Sequence, residues 1–368
     1  MMGNKTLVII GAGLAAVPII DKAHELGLKV LAFARQKSYA QKMVDIFIEE
    51  NDFDVEFMVR KCREIKVDGV MATSELTTEV AARLAASLDL PGNSVEGGFA
   101  GKNKYEMRKR VATIDSIRQP HFEIYQKGKK YPLPIIVKSV DSCGKRGITL
   151  VNKEEDFDDA ITAAIENSSN GLALIEEYLE GGKEYSIECL STGNIHQVVQ
   201  YTEKDSSGPP HFVELGHHQP ANLSNEIKER INVAVSDVLE VLGLKCGMAH
   251  LELKIINNEL YFIEVGARGG GDHISDILTP LSTGFDYFKA AVLCALGDYV
   301  PQKICQKAYS GIYFHCKQNE HLKPLFEKAK TSDWCIKNTV KTEEFSEASG
   351  NVETSDSGYI IYCSDHKL

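Results

Sequence analysis

The chain has 368 residues, 43% apolar and 25% charged, which is enough for two or three folded domains with ordinary cores. A formal charge of -11 excludes a general basic face for nucleic acid or an anionic membrane, so any anion must be caught by a local cluster of cations. Nine cysteines without a C-x-x-C pair support neither a disulfide framework nor a zinc ribbon, and a reducing cytoplasm fits that usage best.

The apolar N-terminus reads as a strand and a glycine turn entering a helix rather than as a signal peptide, and no segment reaches the length of a membrane span. Residues 6–10 read as a strand, 14–25 as a helix, 29–34 as a strand and 54–65 as a helix. Residues 69–72 are a strand ending at Thr73-Ser74-Glu75, and 76–88 a helix. This alternation predicts an α/β first domain with a doubly wound parallel sheet. Pro91-Gly92-Asn93 and Gly97-Gly98 cluster helix breakers and set its edge, giving a first domain at 1–97.

Beyond that edge, 102–111 is a basic helix, and 133–140 pairs with 148–151 as a hairpin with a flexible tip from Asp141 to Gly147. Residues 173–177 and 185–190 follow as strands and 226–242 as a long helix, and 249–256 pairs with 259–265 across Asn257-Asn258. This region, 98–300, is α+β, with a lid part at about 115–180. Strands at 311–315 and 358–362 predict a small C-terminal lobe over 301–368.

Gly11-Ala12-Gly13-Leu14-Ala15-Ala16 follows a strand and opens a helix, the context of a dinucleotide turn. However, the second strand ends in Phe33-Ala34-Arg35 without the carboxylate a ribose needs, and no hydride-transfer site follows. Close strand–helix packing, with the turn lining a substrate pocket, is the better reading than an NAD(P) enzyme.

Lys104, Lys138 and the tip carrying Ser142, Gly144, Lys145 and Gly147 combine cations with glycine-freed N–H groups, a set suited to gripping a polyphosphate. The run from Leu174 through Glu176, Glu177 and Leu179 to Glu184 suits a hinge whose backbone reads an adenine while Glu184 takes ribose hydroxyls. Glu252 and Glu264 lie on the two arms of one predicted hairpin and offer hard oxygens for Mg²⁺. Arg268 and Gly269-Gly270-Gly271 follow at a strand end, placed to hold a reacting anion. A two-residue turn at Asn257-Asn258 would pair Glu252 with Ile263, so a shared metal calls for a bulge or a longer loop. His217-His218-Gln219-Pro220 reads as polar loop structure, with acceptor-pocket lining as the alternative, and Cys143 reads as incidental.

Six motifs in order, N-K-Y-E-M-R (103–108), I-I-V-K-S (135–139), S-C-G-K-R-G (142–147), I-E-E-Y-L-E-G-G-K-E-Y (175–185), H-L-E-L-K (250–254) and E-V-G-A-R-G-G-G (264–271), resemble the ATP-grasp superfamily. Within it the chain looks most like the L-amino-acid ligases, with biotin carboxylase and carbamoyl-phosphate synthetase more distant. The resemblance implies a pre-ATP-grasp domain, then ATP between two α+β subdomains, with Lys104 and Lys138 on its phosphates. Glu177 and Leu179 would contact adenine through their backbones, Glu184 the ribose, and Glu252 and Glu264 would hold Mg²⁺ or Mn²⁺. Arg268, helped by N–H groups of the glycine run, would stabilise an acyl phosphate. Gly266 stands where many relatives carry a metal-binding asparagine. The implied activity is an ADP-forming carboxylate–amine ligase acting on amino acids. A biotin-carboxylase-like enzyme and a non-catalytic nucleotide binder are the alternatives. The implied partners are a small carboxylate and an amine, with a homodimer as a possible assembly.

Overall fold

The computed structural model describes residues 5–142, 144, 146–209, 212–347 and 358–368. Strands β1 (Thr6–Ile10), β2 (Lys29–Ala34), β3 (Ile46–Glu49) and β4 (Gly69–Ala72) form a parallel sheet in the order β3-β2-β1-β4. Its central strands are apolar on both faces because both are covered. Val8, Ile10, Leu31 and Phe33 face helices α2 (Val55–Ile65) and α3 (Thr78–Ser87). Leu7, Ile9 and Val30 face α1 (Val17–Glu25) and a helix from far along the chain, Tyr287–Ala295. The sequence reading lacked β3, a short, half-exposed strand.

The glycines expected to form a loop at the domain edge lie inside helix α4 (Val95–Ala100). A Cβ on Gly97 would sit 2.5 Å from the Gly243 carbonyl, and one on Gly98 2.8 Å from the Ala82 Cβ, so these glycines serve close packing. Helix α5 (Lys104–Val111) follows, capped by the Asn103 side chain, which accepts from Glu106 N at 2.9 Å. Strands β5 (Phe122–Ile124), β6 (Ile135–Ser139), β7 (Ile148–Val151) and β8 (Ala173–Glu177) then make an antiparallel sheet, β5-β8-β6-β7, backed by α6 (Phe157–Glu166).

The largest sheet has eight strands. β9 (Lys183–Thr192), β10 (Ile195–Ser206) and β11 (Glu214–Gln219) lead through α7 (Asn225–Leu242) into the hairpin of β12 (Cys246–Ile256) and β13 (Glu259–Gly266). A π-helical turn at Ile274–Leu278, α8 (Thr279–Thr283) and the already mentioned helix, now α9, connect to β14 (Tyr309–Phe314), α10 (Lys323–Ala329), β15 (Cys335–Asn338) and β16 (Tyr359–Ser364). The order is β13-β12-β9-β10-β11-β14-β16-β15, antiparallel throughout. The segment expected as a separate lobe therefore adds its strands to the central sheet. His217 and His218 lie on β11, a strand and not a loop. One face of the sheet packs Ile187, Leu251 and Phe262 against α5 and α7.

Among the described residues the eight cysteines are free, and no helix is long and apolar enough to cross a membrane.

Candidate active site

Period-two alternation makes the other face of β9, β12 and β13 polar. Asn257 and Asn258 both take left-handed backbone in a two-residue turn, with φ of 49° and 66°. A register shift then leaves Ile263 unpaired, and Glu252 sits directly opposite Glu264. The expected bulge is thus present, and it turns both carboxylates to one face.

Cations already meet these carboxylates. Lys204 on β10 donates to Glu252 at 2.8 Å and lies 3.3 Å from Glu214, while Lys104 is 3.9 Å from Glu264. Burial would raise the Glu252 carboxyl, but Lys204 and His250 hold it well below the usual range. Burial would likewise depress Lys204, and Glu214 and Glu252 instead raise it well above an ordinary lysine. Among the described residues no group of three or more His, Cys, Asp or Glu side chains could hold a metal by itself. Two opposed carboxylates that attract cations fit Mg²⁺ whose remaining ligands are phosphate oxygens and water.

A buried chain of hydrogen bonds ties this pair to the glycine run. His250 Nε2 meets Glu252 at 3.2 Å and its Nδ1 meets Glu188 at 2.5 Å. Glu188, fully buried on β9, also accepts from Gly270 N at 3.0 Å and Ser275 Oγ at 2.8 Å. Burial would raise the Glu188 carboxyl, but His250, Gly270 and Ser275 hold it below the usual range. Burial would depress His250, yet the two glutamates raise it to about 9. The Gly270 N–H, expected to face the anion, is therefore committed to Glu188. A Cβ there would lie 2.6 Å from His250 Nδ1, which explains the glycine.

Arg268 donates to Gly269 O at 3.0 Å and to Glu75 at 3.2 Å, so it bridges to the end of β4. Burial would lower the guanidinium's affinity for its proton, and Glu75, Glu264 and Glu252 together raise it.

Lys104 donates to Ser142 O at 2.6 Å, linking α5 to the hairpin tip, where Gly144 and Gly147 have φ of 66° and 67°. Lys145 and Cys143 lie outside the described residues. Lys138 is paired with Glu176 at 2.7 Å, and Arg108 donates to the same carboxylate at 2.8 and 3.1 Å. Burial would raise Glu176, but Arg108 and Lys138 hold it at about 2. The Glu176 side chain is thus 3% exposed and spent on two cations, which leaves the backbone of that residue for the expected nucleotide contact. The Glu177 N–H bonds His121 O at 2.9 Å, and Lys254 donates to Leu179 O at 2.7 Å. Glu184 lies beside Lys254 at 3.9 Å, and burial with repulsion from Glu252 and Glu214 raises its carboxyl.

Arg268 and the glycine run open on a cavity of ≈ 970 Å³ whose walls include Leu14 and Pro18 after the first glycine turn, Glu75, Phe314 and Tyr359. The first glycine turn therefore borders a pocket, as expected. Gly11 has φ of 96° and lies against Thr73, whose hydroxyl donates to Ile10 O at 2.9 Å. The two histidines divide. His217 meets Asp272 at 3.3 Å, next to the glycine run, whereas His218 bonds Asp205 at 2.9 Å and Tyr362 at 3.0 Å.

Arg108, Lys204, Glu188 and Glu75 were absent from the sequence-derived site. Glu188 left a trace as a lone acid inside the apolar strand Ile187-Glu188-Cys189-Leu190.

Comparison with known proteins shows what the chain and its fold are similar to. The chain is 23% identical over 326 residues to formate-dependent phosphoribosylglycinamide formyltransferase from Prochlorococcus marinus, covering 82% of this chain and 78% of that protein. The L-amino acid ligase structure from Bacillus licheniformis superposes with a TM-score of 0.80 at 22% identity, over 100% of this chain and 95% of that one. A 2-oxoglutarate carboxylase biotin carboxylase domain from Hydrogenobacter thermophilus, a dimer complexed with MgADP and bicarbonate, gives 0.72 at 18%, over 98% and 86%. Residues 20–92 match the ATP-grasp N-terminal domain and residues 131–276 the ATP-grasp domain, and the chain belongs to the ATP-grasp superfamily.

Proposed function

We propose that the chain is an ADP-forming carboxylate–amine ligase that phosphorylates a carboxylate with ATP and couples the acyl phosphate to an amine. The observation that carries this reading is the placement of Glu252 opposite Glu264, with Arg268 just beyond on a loop that borders a large cavity. A protein that only stored nucleotide would have no use for a guanidinium lining such a cavity.

Glu252 and Glu264 would hold Mg²⁺ (or Mn²⁺), which when bound neutralises charge on the transferring phosphoryl group. Lys104 and Lys138 carry the positive charge for the phosphates. Arg108 and Glu176 orient Lys138 from below. Glu177, Leu179 and Glu184 border the adenosine, and the sheet of β5 to β8 with the tip at Ser142, Gly144 and Gly147 covers the phosphates. Arg268, fixed by Glu75, stabilises the negative charge that gathers on the acyl oxygen and the phosphate. The domain limits proposed are 1–97, 98–300 and 301–368, the last lending its strands to the central sheet, and a cytoplasmic setting suits the free thiols.

The test is trapping with hydroxylamine across a panel of amino acids and other small carboxylates. A hydroxamate formed with equimolar ADP and dependent on Mg²⁺ is expected. Glu264→Ala and Lys138→Ala should lower its rate by about a hundredfold or more. Arg268→Ala should lose the hydroxamate and keep ATP binding. ADP release with bicarbonate and no other carboxylate would favour the carboxylase-like reading, and no ADP with any carboxylate would leave a nucleotide binder.

A further inference from the structure

We propose that the cavity wall formed by His273, Asp276, Lys337 and Tyr359 seats the amine substrate, that this substrate carries its own carboxylate, and that Tyr359 with His273 removes the ammonium proton. The inference rests on the ligase reading above and adds to it the acceptor class and the proton's destination.

All four residues line the cavity that Arg268 also borders. His273 follows the glycine run, and it and Asp272 take left-handed backbone with φ of 62° and 51°, a conformation that non-glycine residues hold at a cost. The result is a fixed hydrogen-bond relay. His273 Nδ1 is 2.9 Å from Asp276 Oδ2, and Nε2 is 2.6 Å from the Tyr359 hydroxyl. A carboxylate only accepts, so Nδ1 carries the ring proton and Nε2 accepts from the phenol. The Tyr359 oxygen keeps its lone pairs for a donor in the cavity, and among the described residues no other side chain bonds that hydroxyl. Lys337 lies 5.3 Å over the Tyr359 ring and has no carboxylate partner among the described residues. A cation without a carboxylate partner among the described residues, beside a proton acceptor, suits a ligand with a carboxylate and an ammonium, which is an amino acid.

An ammonium ion has no lone pair with which to attack. In the step proposed, one ammonium proton passes to the Tyr359 oxygen as the phenol proton passes to His273 Nε2, giving an imidazolium held by Asp276. The freed nitrogen lone pair forms the C–N bond to the acyl carbon. The C–O bond to phosphate breaks with its electron pair on the phosphate, which takes the second N–H proton. The imidazolium returns its proton to solvent before the next turnover.

The wild-type enzyme is first shown to form hydroxamate, and then amide, with amino acids as acceptors. Hydroxylamine is uncharged at neutral pH and needs no base. Tyr359→Phe and His273→Asn, the latter chosen because asparagine tolerates left-handed backbone, should slow amide formation about a hundredfold and leave hydroxamate formation within about twofold. Lys337→Ala should raise KM for an amino-acid acceptor at least about tenfold and leave that for hydroxylamine unchanged. Equal losses of amide and hydroxamate, or no loss of either, would overturn the relay. Equal use of a carboxylate-free amine, or preference for a phosphorylated one, would overturn the acceptor class. Absence of hydroxamate from the wild type would remove the ligase reading and this inference with it.

Discussion

Burial of a carboxylate is unfavourable unless cations meet it, and Glu176 is met by two. Its neighbour Glu177 points to solvent on the same strand, so adjacent identical residues have opposite roles. The consequence is a pH signature. The Glu176 carboxyl titrates at about 2 in the folded protein against an ordinary 4.5, so its contribution to stability is fully present above pH 4.5 and lost as pH falls toward 2. Glu176→Gln should therefore cost stability at neutral pH, and the difference from wild type should shrink by roughly 3 kcal/mol as the pH is lowered through that window. Chemical unfolding at a series of pH values checks this, and a difference independent of pH would remove the ion pair as its cause. The opposition of Glu252 and Glu264 was legible because the two acids sit on adjoining apolar strands of one hairpin, whereas Lys104, on a basic helix, drew notice only beside the other motifs. Arg108 and Glu75 were not legible, because their partners lie 68 and 193 residues away and only the fold joins them.

Elements differ in how much of their placement is local. The β12–β13 hairpin is written in its own residues. Two asparagines accept left-handed backbone, and the demand for one shared face anticipates the bulge at Ile263. Parallel β1, β2 and β4 are likewise plain, since a strand covered on both faces is apolar throughout. β10 and β11 escaped because polar side chains such as Gln200, Thr202 and Gln219 face a buried network with Ser282 and Thr279, which breaks the apolar alternation that marks a strand. Helix α4 escaped for the opposite reason, its glycines reading as loop when they answer to a neighbour. That neighbour is the end of α7. Gly97→Ala would bring its Cβ within 2.5 and 2.7 Å of the Gly243 and Leu242 carbonyls, which are backbone and cannot swing aside. A loss of about 1–3 kcal/mol in unfolding free energy is expected. An unchanged denaturation midpoint would show that α4 does not lie against α7.

At the scale of the whole molecule, the cavity forms where distant stretches meet: the end of β4 with the first glycine turn, the start of β12 and the loop after β13, helices α3 and α9, and the strands β14, β15 and β16. The N-terminal sheet is held to the central one by α9, whose Tyr287 donates to Cys189 O at 2.5 Å on β9 while its other residues cover Leu7 and Ile9. Glu75 is thereby a fixed arm reaching across to Arg268, with its side chain largely buried. An arginine left to solvent samples many rotamers, and holding it in one geometry before the acyl phosphate forms saves that entropy at the moment of reaction. Loss of the arm should accordingly act on chemistry rather than on nucleotide capture, since Glu75 is ion-paired to Arg268 and not to Lys104 or Lys138, which pair with Glu264 and Glu176. Glu75→Gln, which keeps the shape and removes the charge, should lower kcat for ADP release by about tenfold or more and leave the Kd for ATP within about twofold. Calorimetric titration with ATP beside steady-state ADP release separates the two. A weaker Kd with unchanged kcat would mean that Glu75 supports the fold of the nucleotide cleft instead of the guanidinium that faces the cavity.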